Sequence, residues 1–333
     1  MYCVVTGVAG FVGSHIAERL LMDGHEVCGI DAFIDYYPRR FKERNLQGLR
    51  SWNTFTFVEE NLLDADLDQL LDGVDVVFHQ AAQAGVRASW GQEFLRYMSC
   101  NVLVTQRLLE AALNTKHLKR FVYASSSSIY GDTTVLPVTE NVIPRPVSPY
   151  GVSKLAAEDL CSLYHSSFGV PTVSLRYFTV YGPRQRPDMA FHRFCKAIVA
   201  HQPIHIYGDG QQTRDFTYIS DVVEANIRAA TMDAAIGEVL NIAGGSRVTM
   251  HQALQLLQEL NDVPVDIAFD PKQHGDVRHT FADTKHAEQV LQYHPQVSLR
   301  EGLRREFEDI TSLYTDFQSV LPEQQTVLQN IGG

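Results

Sequence analysis

Basic residues are scarce in this chain: 28 Lys and Arg stand against 39 Asp and Glu, a formal net charge of −11. A nucleic-acid surface needs clustered cations to release counterions, so no nucleic-acid partner is expected. Cysteine offers no staple. Cys3, Cys28, Cys100, Cys161 and Cys195 are odd in number and form no CxxC pair, which points to reduced core residues rather than a disulfide framework. No metal site is expected, because the thirteen histidines are dispersed without ligand spacing. His79, at the end of an apolar run, is expected to serve the core or a cofactor pocket. Every apolar run is too short to cross a bilayer, and the chain opens on a strand-like segment rather than a charged leader. A soluble, cytoplasmic protein without membrane contact is therefore expected. Repeats and low-complexity tracts are lacking.

What is present is a chain of 333 residues, 45% apolar, long enough for a large domain plus a smaller one. Apolar runs at 2–6, 25–30, 54–58, 74–79, 120–125 and 172–176 alternate with amphipathic segments such as 94–114 and 149–168. Strands alternating with helices at this spacing imply right-handed crossovers and a doubly wound parallel sheet. Ligands of such sheets bind beyond the carboxyl ends of the strands, and Gly7, Asp31, Ala81, Ser126 and Thr179 all follow such runs. After about residue 182 the rhythm loosens into short segments at 204–207, 215–219 and 239–242. This predicts a smaller domain, with the chain crossing between the two more than once. The stretch 316–333 is polar and glutamine-rich, and is expected to be a flexible tail.

The first strand runs into Gly7-Val8-Ala9-Gly10-Phe11-Val12-Gly13 and then into an amphipathic segment from Ser14 to Met22. Strand, glycine-rich turn and helix in that order suit a dinucleotide pyrophosphate. Glycines allow close approach of the backbone, and a helix N-terminus offers unpaired N–H groups to the anion. Asp31 closes the second apolar run, where a carboxylate accepts both hydroxyls of an adenosine ribose and repels a 2′-phosphate. That favours NAD. Arg39 and Arg40 lie nearby and suit a 2′-phosphate, which leaves NADP open on these residues alone.

Tyr150 and Lys154 are spaced i, i+4 and share a face if their segment is helical. Ser148 suits the N-cap, Pro149 the first turn, and apolar residues recur at Leu155, Leu160, Leu163 and Phe168. A free tyrosine titrates near pH ~10, too high for a base at neutral pH. A neighbouring ammonium and the positive first turn of a helix are both expected to lower it, making Tyr150 a general acid/base. The hydroxyl cluster Ser125-Ser126-Ser127-Ser128 ends another strand. A nucleotide-binding turn, a serine and a Tyr/Lys helix together describe a hydride-transfer site.

These motifs resemble the extended short-chain dehydrogenase/reductases of the nucleotide-sugar epimerase/dehydratase type. The likeness runs from Thr6 to about Tyr314 through TGVAGFVG (6–13), HQAA (79–82), ASSSSIYG (124–131), SPYGVSK (148–154), RYFTVYGPRQRPDMA (176–190) and GDGQQTRDFTYISD (208–221). The resemblance implies a Rossmann-type doubly wound parallel sheet in an NAD-binding domain, mainly 1–182 with a returning segment at about 215–245. It also implies a smaller α/β nucleotide-sugar-binding domain, mainly 183–315. Tyr150 would be the acid/base, Lys154 would lower its pKa and hold the nicotinamide ribose, and Ser126 would bond the sugar hydroxyl. NAD would meet Gly7, Gly10, Phe11, Val12, Gly13, Asp31, Asn61, Leu62, Ala81 and Ala82. Many relatives carry an Asp that bonds adenine after the third strand, where this chain reads Glu60-Asn61-Leu62.

Within that family, dehydratases carry an Asp-Glu pair where this chain has Ser127-Ser128, and decarboxylases carry a glutamate at the place of Ser128. Both signatures are missing, which leaves 4-epimerization. Thr179 in place of the usual asparagine, AAQAGVR (81–87) and PRQRPDMA (183–190) resemble the UDP-glucuronate 4-epimerases. UDP-glucose 4-epimerization and UDP-glucuronate decarboxylation are the alternatives. Ser127, Ser128 and Thr179 would offer hydroxyls to a C6 carboxylate that an acidic pair would repel. Oxidation at C4 would make a β-keto acid, and the hydroxyl cluster is expected to hold the carboxylate so that CO2 is not lost. Arg214 and Arg278 would meet the diphosphate, with Arg186 near the uridine or sugar, and Arg87 and Ala190 also on the substrate side. A homodimer is expected through the helices at 94–114 and 149–168.

Overall fold

The computed structural model describes residues 1–261 and 266–319. The expected tail at 316–333 lies mostly outside the described residues. Seven strands form one parallel sheet: β1 (Tyr2–Thr6), β2 (Glu26–Ile30), β3 (Phe55–Val58), β4 (Val76–His79), β5 (Arg120–Ser126), β6 (Thr172–Tyr177) and β10 (Val239–Ile242). Their order is β10-β6-β5-β4-β1-β2-β3, and all six neighbouring pairs run parallel. The order reverses direction between β1 and β4, and there the crossovers diverge and leave a crevice at the strands' carboxyl ends.

Helices α1 (Phe11–Met22), α2 (Arg39–Gln47), α3 (Leu67–Leu70), α4 (Phe94–Tyr97), α5 (Val104–Asn114) and α6 (Pro149–Phe168) come from the crossovers, and α8 (Ile219–Thr231) follows later in the chain. A three-stranded sheet, β11-β9-β7, joins β7 (Thr179–Tyr181), β9 (Thr213–Tyr218) and β11 (Arg247–Thr249), and β8 (Ile204–Tyr207) pairs with β12 (Ile267–Asp270). Helices α7 (Ala190–Val199), α9 (Met250–Asn261), α10 (Lys285–Leu291) and α11 (Leu299–Ser319) accompany these smaller sheets. Among the described residues, no helix is long and apolar enough to cross a membrane.

Burial follows the sequence pattern. The central strands are buried almost throughout, as a sheet covered on both faces requires, and all five cysteines are buried and free. Helix α6 begins and ends where its capping residues place it. The Ser148 hydroxyl accepts from Gly151 N at 3.1 Å, Pro149 takes the first turn, and Gly169 closes it in the left-handed region at φ 74°. The segment 94–114 departs from the expected single α-helix: six residues, Met98–Leu103, form a π turn between α4 and α5. Periodicity does not reveal an inserted residue of this kind. Asn101 on that turn donates to Gln83 O at 3.1 Å and to Ser153 Oγ at 2.8 Å. Helix α1 starts at Phe11, three residues before its amphipathic pattern becomes visible, so Gly10 is its cap.

His79 is 1% exposed and ties three elements together. Its Nδ1 meets Thr6 Oγ1 at 2.8 Å, and its Nε2 meets Thr105 Oγ1 at 2.9 Å. Burial pushes its pKa down to about 3, and His15, held against Pro183 O, is pushed down to about 4. An unfolded histidine titrates near ~6.5, so below that pH the unfolded chain takes up protons that the folded chain refuses. Stability is thus fully present above pH ~6.5 and falls by about 1.4 kcal/mol per pH unit per histidine below it. The His79→Gln variant is expected to start with a lower Tm at pH 7.5 but to lose less of it between pH 6.5 and 5. Thermal melts across that range check this; equal slopes for variant and parent would refute it.

Candidate functional site

A cavity of about 670 Å³ opens at the carboxyl ends of the main sheet. It runs from the glycine turn, past the ends of β4 and β5 and the start of α6, to the β7 and β9 strands and the 272–280 segment. Every residue expected above to touch cofactor or substrate lies on its wall.

At the cofactor end, Gly7 has φ 67°, and its N–H donates to Ile30 O at 2.8 Å. A Cβ on Gly7 would come within 2.9 Å of Ala81 Cα, and one on Gly13 within 2.3 Å of Gly7 O. Turn and helix are therefore packed too closely for side chains, which leaves the backbone N–H groups at the start of α1 as the cavity floor. Asp31 accepts from Ala9 N at 3.2 Å and Phe33 N at 2.8 Å, with Lys42 Nζ 3.7 Å away. Lys42 is one residue that sequence reasoning missed. Arg39, considered above for a 2′-phosphate, is forked to Glu59, bonded to Glu43 and stacked 4.0 Å from the Phe33 ring. Its charge is already matched by two carboxylates. Asn61 spends its carbonyl on Leu63 N at 3.1 Å, which leaves its amide NH2 free of that turn, beside Leu62. Ala81 N donates to Thr6 Oγ1 at 3.0 Å and, with Ala82, forms the wall after β4.

In the middle stand Tyr150, Lys154 and Ser126. Ser126 hydrogen-bonds the Tyr150 phenol and also accepts from Ser128 N at 3.1 Å. The expected lowering of the phenol's pKa is not found here. Burial raises it, while the Ser126 hydrogen bond and the Arg186 guanidinium pull it back only in part. Lys154 supplies no such pull because Nζ is turned to Ala124 O at 2.6 Å, over the Tyr123 ring. Burial also brings Lys154 itself down to about 8.

At the far end, Ser127, Ser128 and Thr179 line the wall near Arg186, with Ala190 at the start of α7. Arg186 forks onto Asp188 at 3.0 and 2.9 Å, and Tyr36 OH reaches the same carboxylate at 3.4 Å. Arg87 pairs with Asp276 at 2.8 Å and stacks 4.0 Å from the Tyr207 ring. Arg278 forks onto Asp209 at 2.7 and 2.9 Å. Among the described residues, Arg214 hydrogen-bonds carbonyls, of Thr213 at 2.8 Å, Val277 at 2.9 Å and Arg278 at 3.3 Å. Asp188, Tyr36 and Tyr207 were also missed. Asp188 stands two residues after Arg186 in a stretch already singled out, whereas Tyr36 and Tyr207 carry no local signal.

Residues 3–243 match the NAD dependent epimerase/dehydratase family. The uncharacterized UDP-glucose epimerase YtcB of Bacillus subtilis is 48% identical over 94% of this chain and 99% of its own length. The UDP-glucuronate 4-epimerase of Thermodesulfobacterium geofontis is 37% identical over 91% of this chain and 94% of its own. Among solved structures, the UDP-glucuronic acid 4-epimerase of Bacillus cereus, in complex with UDP-glucuronic acid and NAD, superposes with a TM-score of 0.92. It is 45% identical, covering 94% of this chain and all of that one.

The Gly13→Ala variant is expected to force the glycine turn off Gly7 and to weaken NAD binding by at least about tenfold, because a 2.3 Å contact with backbone cannot relax cheaply. Calorimetric titration with NAD checks it; unchanged affinity in a folded variant would remove the turn from the cofactor site. Relatives, solved neighbours and a glycine turn suited to a dinucleotide converge: the chain belongs to the NAD dependent epimerase/dehydratase family and is an NAD-dependent isomerase of UDP-sugars.

Proposed function

We propose that the chain interconverts UDP-glucuronate and UDP-galacturonate by epimerization at C4. The observation that carries this reading is the wall of the cavity that holds Tyr150, which is also lined by the hydroxyl residues Ser127, Ser128 and Thr179 and by Arg186, whose charge reaches the phenol. Such donors suit a C6 carboxylate. The likeness to the Bacillus cereus enzyme supports it.

NAD fits the other end, where Gly7, Gly10 and Gly13 leave room for phosphates and Asp31 suits the ribose hydroxyls; when bound, it accepts the C4 hydride and later returns it. Tyr150 takes the proton of the C4 hydroxyl as the hydride leaves, and gives it back to the 4-keto group after the sugar has turned over. Ser126 holds that oxygen, and Lys154 follows Tyr150 one turn on along the same face of α6, its Nζ on Ala124 O. Arg214 is the guanidinium best suited to the diphosphate, since its hydrogen bonds among the described residues go to carbonyls rather than to a carboxylate fork. Thr179 and Ser128 hold the carboxylate away from the alignment in which the β-keto acid loses CO2. A homodimer would cover the exposed apolar side chains of Leu95 and Leu103 on the 94–114 segment and of Val152 and Leu163 on α6.

A second reading, UDP-glucose 4-epimerization, is favoured by the Asp188 fork on Arg186, which already balances that charge and suits a sugar with a neutral C6. The relative from Bacillus subtilis carries that name.

Separate incubations with UDP-glucuronate and UDP-glucose, resolved by anion exchange, decide between the two. UDP-galacturonate is the expected product; turnover of UDP-glucose alone would overturn the proposal. Tyr150→Phe should lower kcat by about 10²- to 10⁴-fold with NAD still bound. Thr179→Val or Ser128→Ala should raise CO2 release relative to UDP-galacturonate. An unchanged partition in both would dismiss their role in holding the carboxylate.

A further inference from the structure

Helix α6 meets the end of β5 at three successive levels of one face, because Tyr150, Lys154 and Glu158 are four residues apart. The first two levels belong to the proposed site. The third lies behind the cavity wall: Ser125 Oγ donates to Glu158 Oε2 at 2.5 Å. The same carboxylate accepts a fork from Arg176 on β6, Nη2 to Oε1 at 2.7 Å and Nε to Oε2 at 3.1 Å. Arg176 Nη1 donates onward to Tyr130 OH at 2.6 Å, and Tyr130 OH to Asn241 Oδ1 on β10 at 2.7 Å. Glu158 is 2% and Arg176 6% exposed.

A buried ion pair of this kind adds little stability over well-packed apolar residues, because two charges must leave water. Its value here is directional. Apolar packing would let α6 slide or roll against β5, whereas a carboxylate bonded to both Ser125 and Arg176 has one height at which all its bonds are made.

We propose that Glu158, gripped by Arg176, is a positioning residue: through Ser125 it sets the height of α6 on β5, and with it the register of Tyr150 and Lys154 against Ser126. The proposal rests on the catalytic reading of those three residues given above. Electrostatics add to the geometry. Lys154 is faced by His79 from β4, Tyr123 from β5, and Cys161 and Glu158 from its own helix. Glu158 is the one carboxylate among them and works against the burial that draws the ammonium down to about 8.

Glu158→Gln, Ser125→Ala and Tyr150→Phe, each as full-length protein with NAD, test it. Glu158→Gln is expected to lower kcat about tenfold with KM for the UDP-sugar within about twofold. The alkaline limb of its kcat profile should move to lower pH, because Lys154 loses the charge that supports its proton. Ser125→Ala, which leaves the ion pair intact, should lower kcat with an unmoved limb; it decides the matter by its kcat if Glu158→Gln does not fold. Folded variants with parental kcat and limb would overturn the proposal, as would a rise in KM matching the fall in kcat with an unmoved limb. Turnover surviving in Tyr150→Phe would overturn the catalytic reading itself. Its loss there, beside parental Glu158→Gln and Ser125→Ala, would overturn positioning alone.

Discussion

The docking of one helix on one strand end holds the centre of this molecule together. β5 runs into four consecutive serines, Ser125 to Ser128, and α6 lays a single face across the strand's end, so that the phenol of Tyr150, the ammonium of Lys154 and the buried carboxylate of Glu158 each find a partner on the same strand. β5 is held by β4 as far as Tyr123, and its last residues, Ala124 to Ser126, are registered on β6. Any shift of α6 must break directional bonds rather than slide apolar surfaces. The glycine turn after β1 and the strands of the smaller sheets take their places around that unit.

Much of this was legible in the sequence because it is periodic or local. The glycine turn, the alternation of strands and helices, and both ends of α6 follow from residues whose conformational preferences act within a few positions. The convergence of Gly7, Asp31, Ala81, Ser126, Tyr150 and Thr179 on one cavity follows from the rule that such sheets bind at the carboxyl ends of their strands. What escaped depends on partners distant in sequence. Lys42 beside Asp31, Tyr207 beneath Arg87 and the π turn of Met98–Leu103 leave no mark in a window of neighbouring residues. The phenol of Tyr150 is the sharpest case. Lys154 was readable from i, i+4 spacing, but the turn of its ammonium to Ala124 O and the burial that raises the phenol are properties of the closed fold.

The pocket's electrostatics have the same origin. Arg87, Arg186 and Arg278 are each held by an aspartate of the chain, so a diphosphate or carboxylate arriving there exchanges one anion for another. Binding free energy is then the difference between two charge-assisted pairs, which favours discrimination over raw affinity. The same aspartates fix three guanidiniums on the cavity wall, so less side-chain freedom would be lost if a ligand engaged them.

The position of β10 carries a consequence for how the chain comes together. Its partner β6 ends at Tyr177, but β10 begins only at Val239, after β7, α7, β8, β9 and α8 have all been laid down. During synthesis the open flank of β6 presents unpaired backbone groups until that late strand arrives, a template for unwanted pairing with other chains. Completion of the seven-stranded sheet thereby waits on the synthesis of β7, α7, β8 and β9, elements that belong to the smaller half of the molecule.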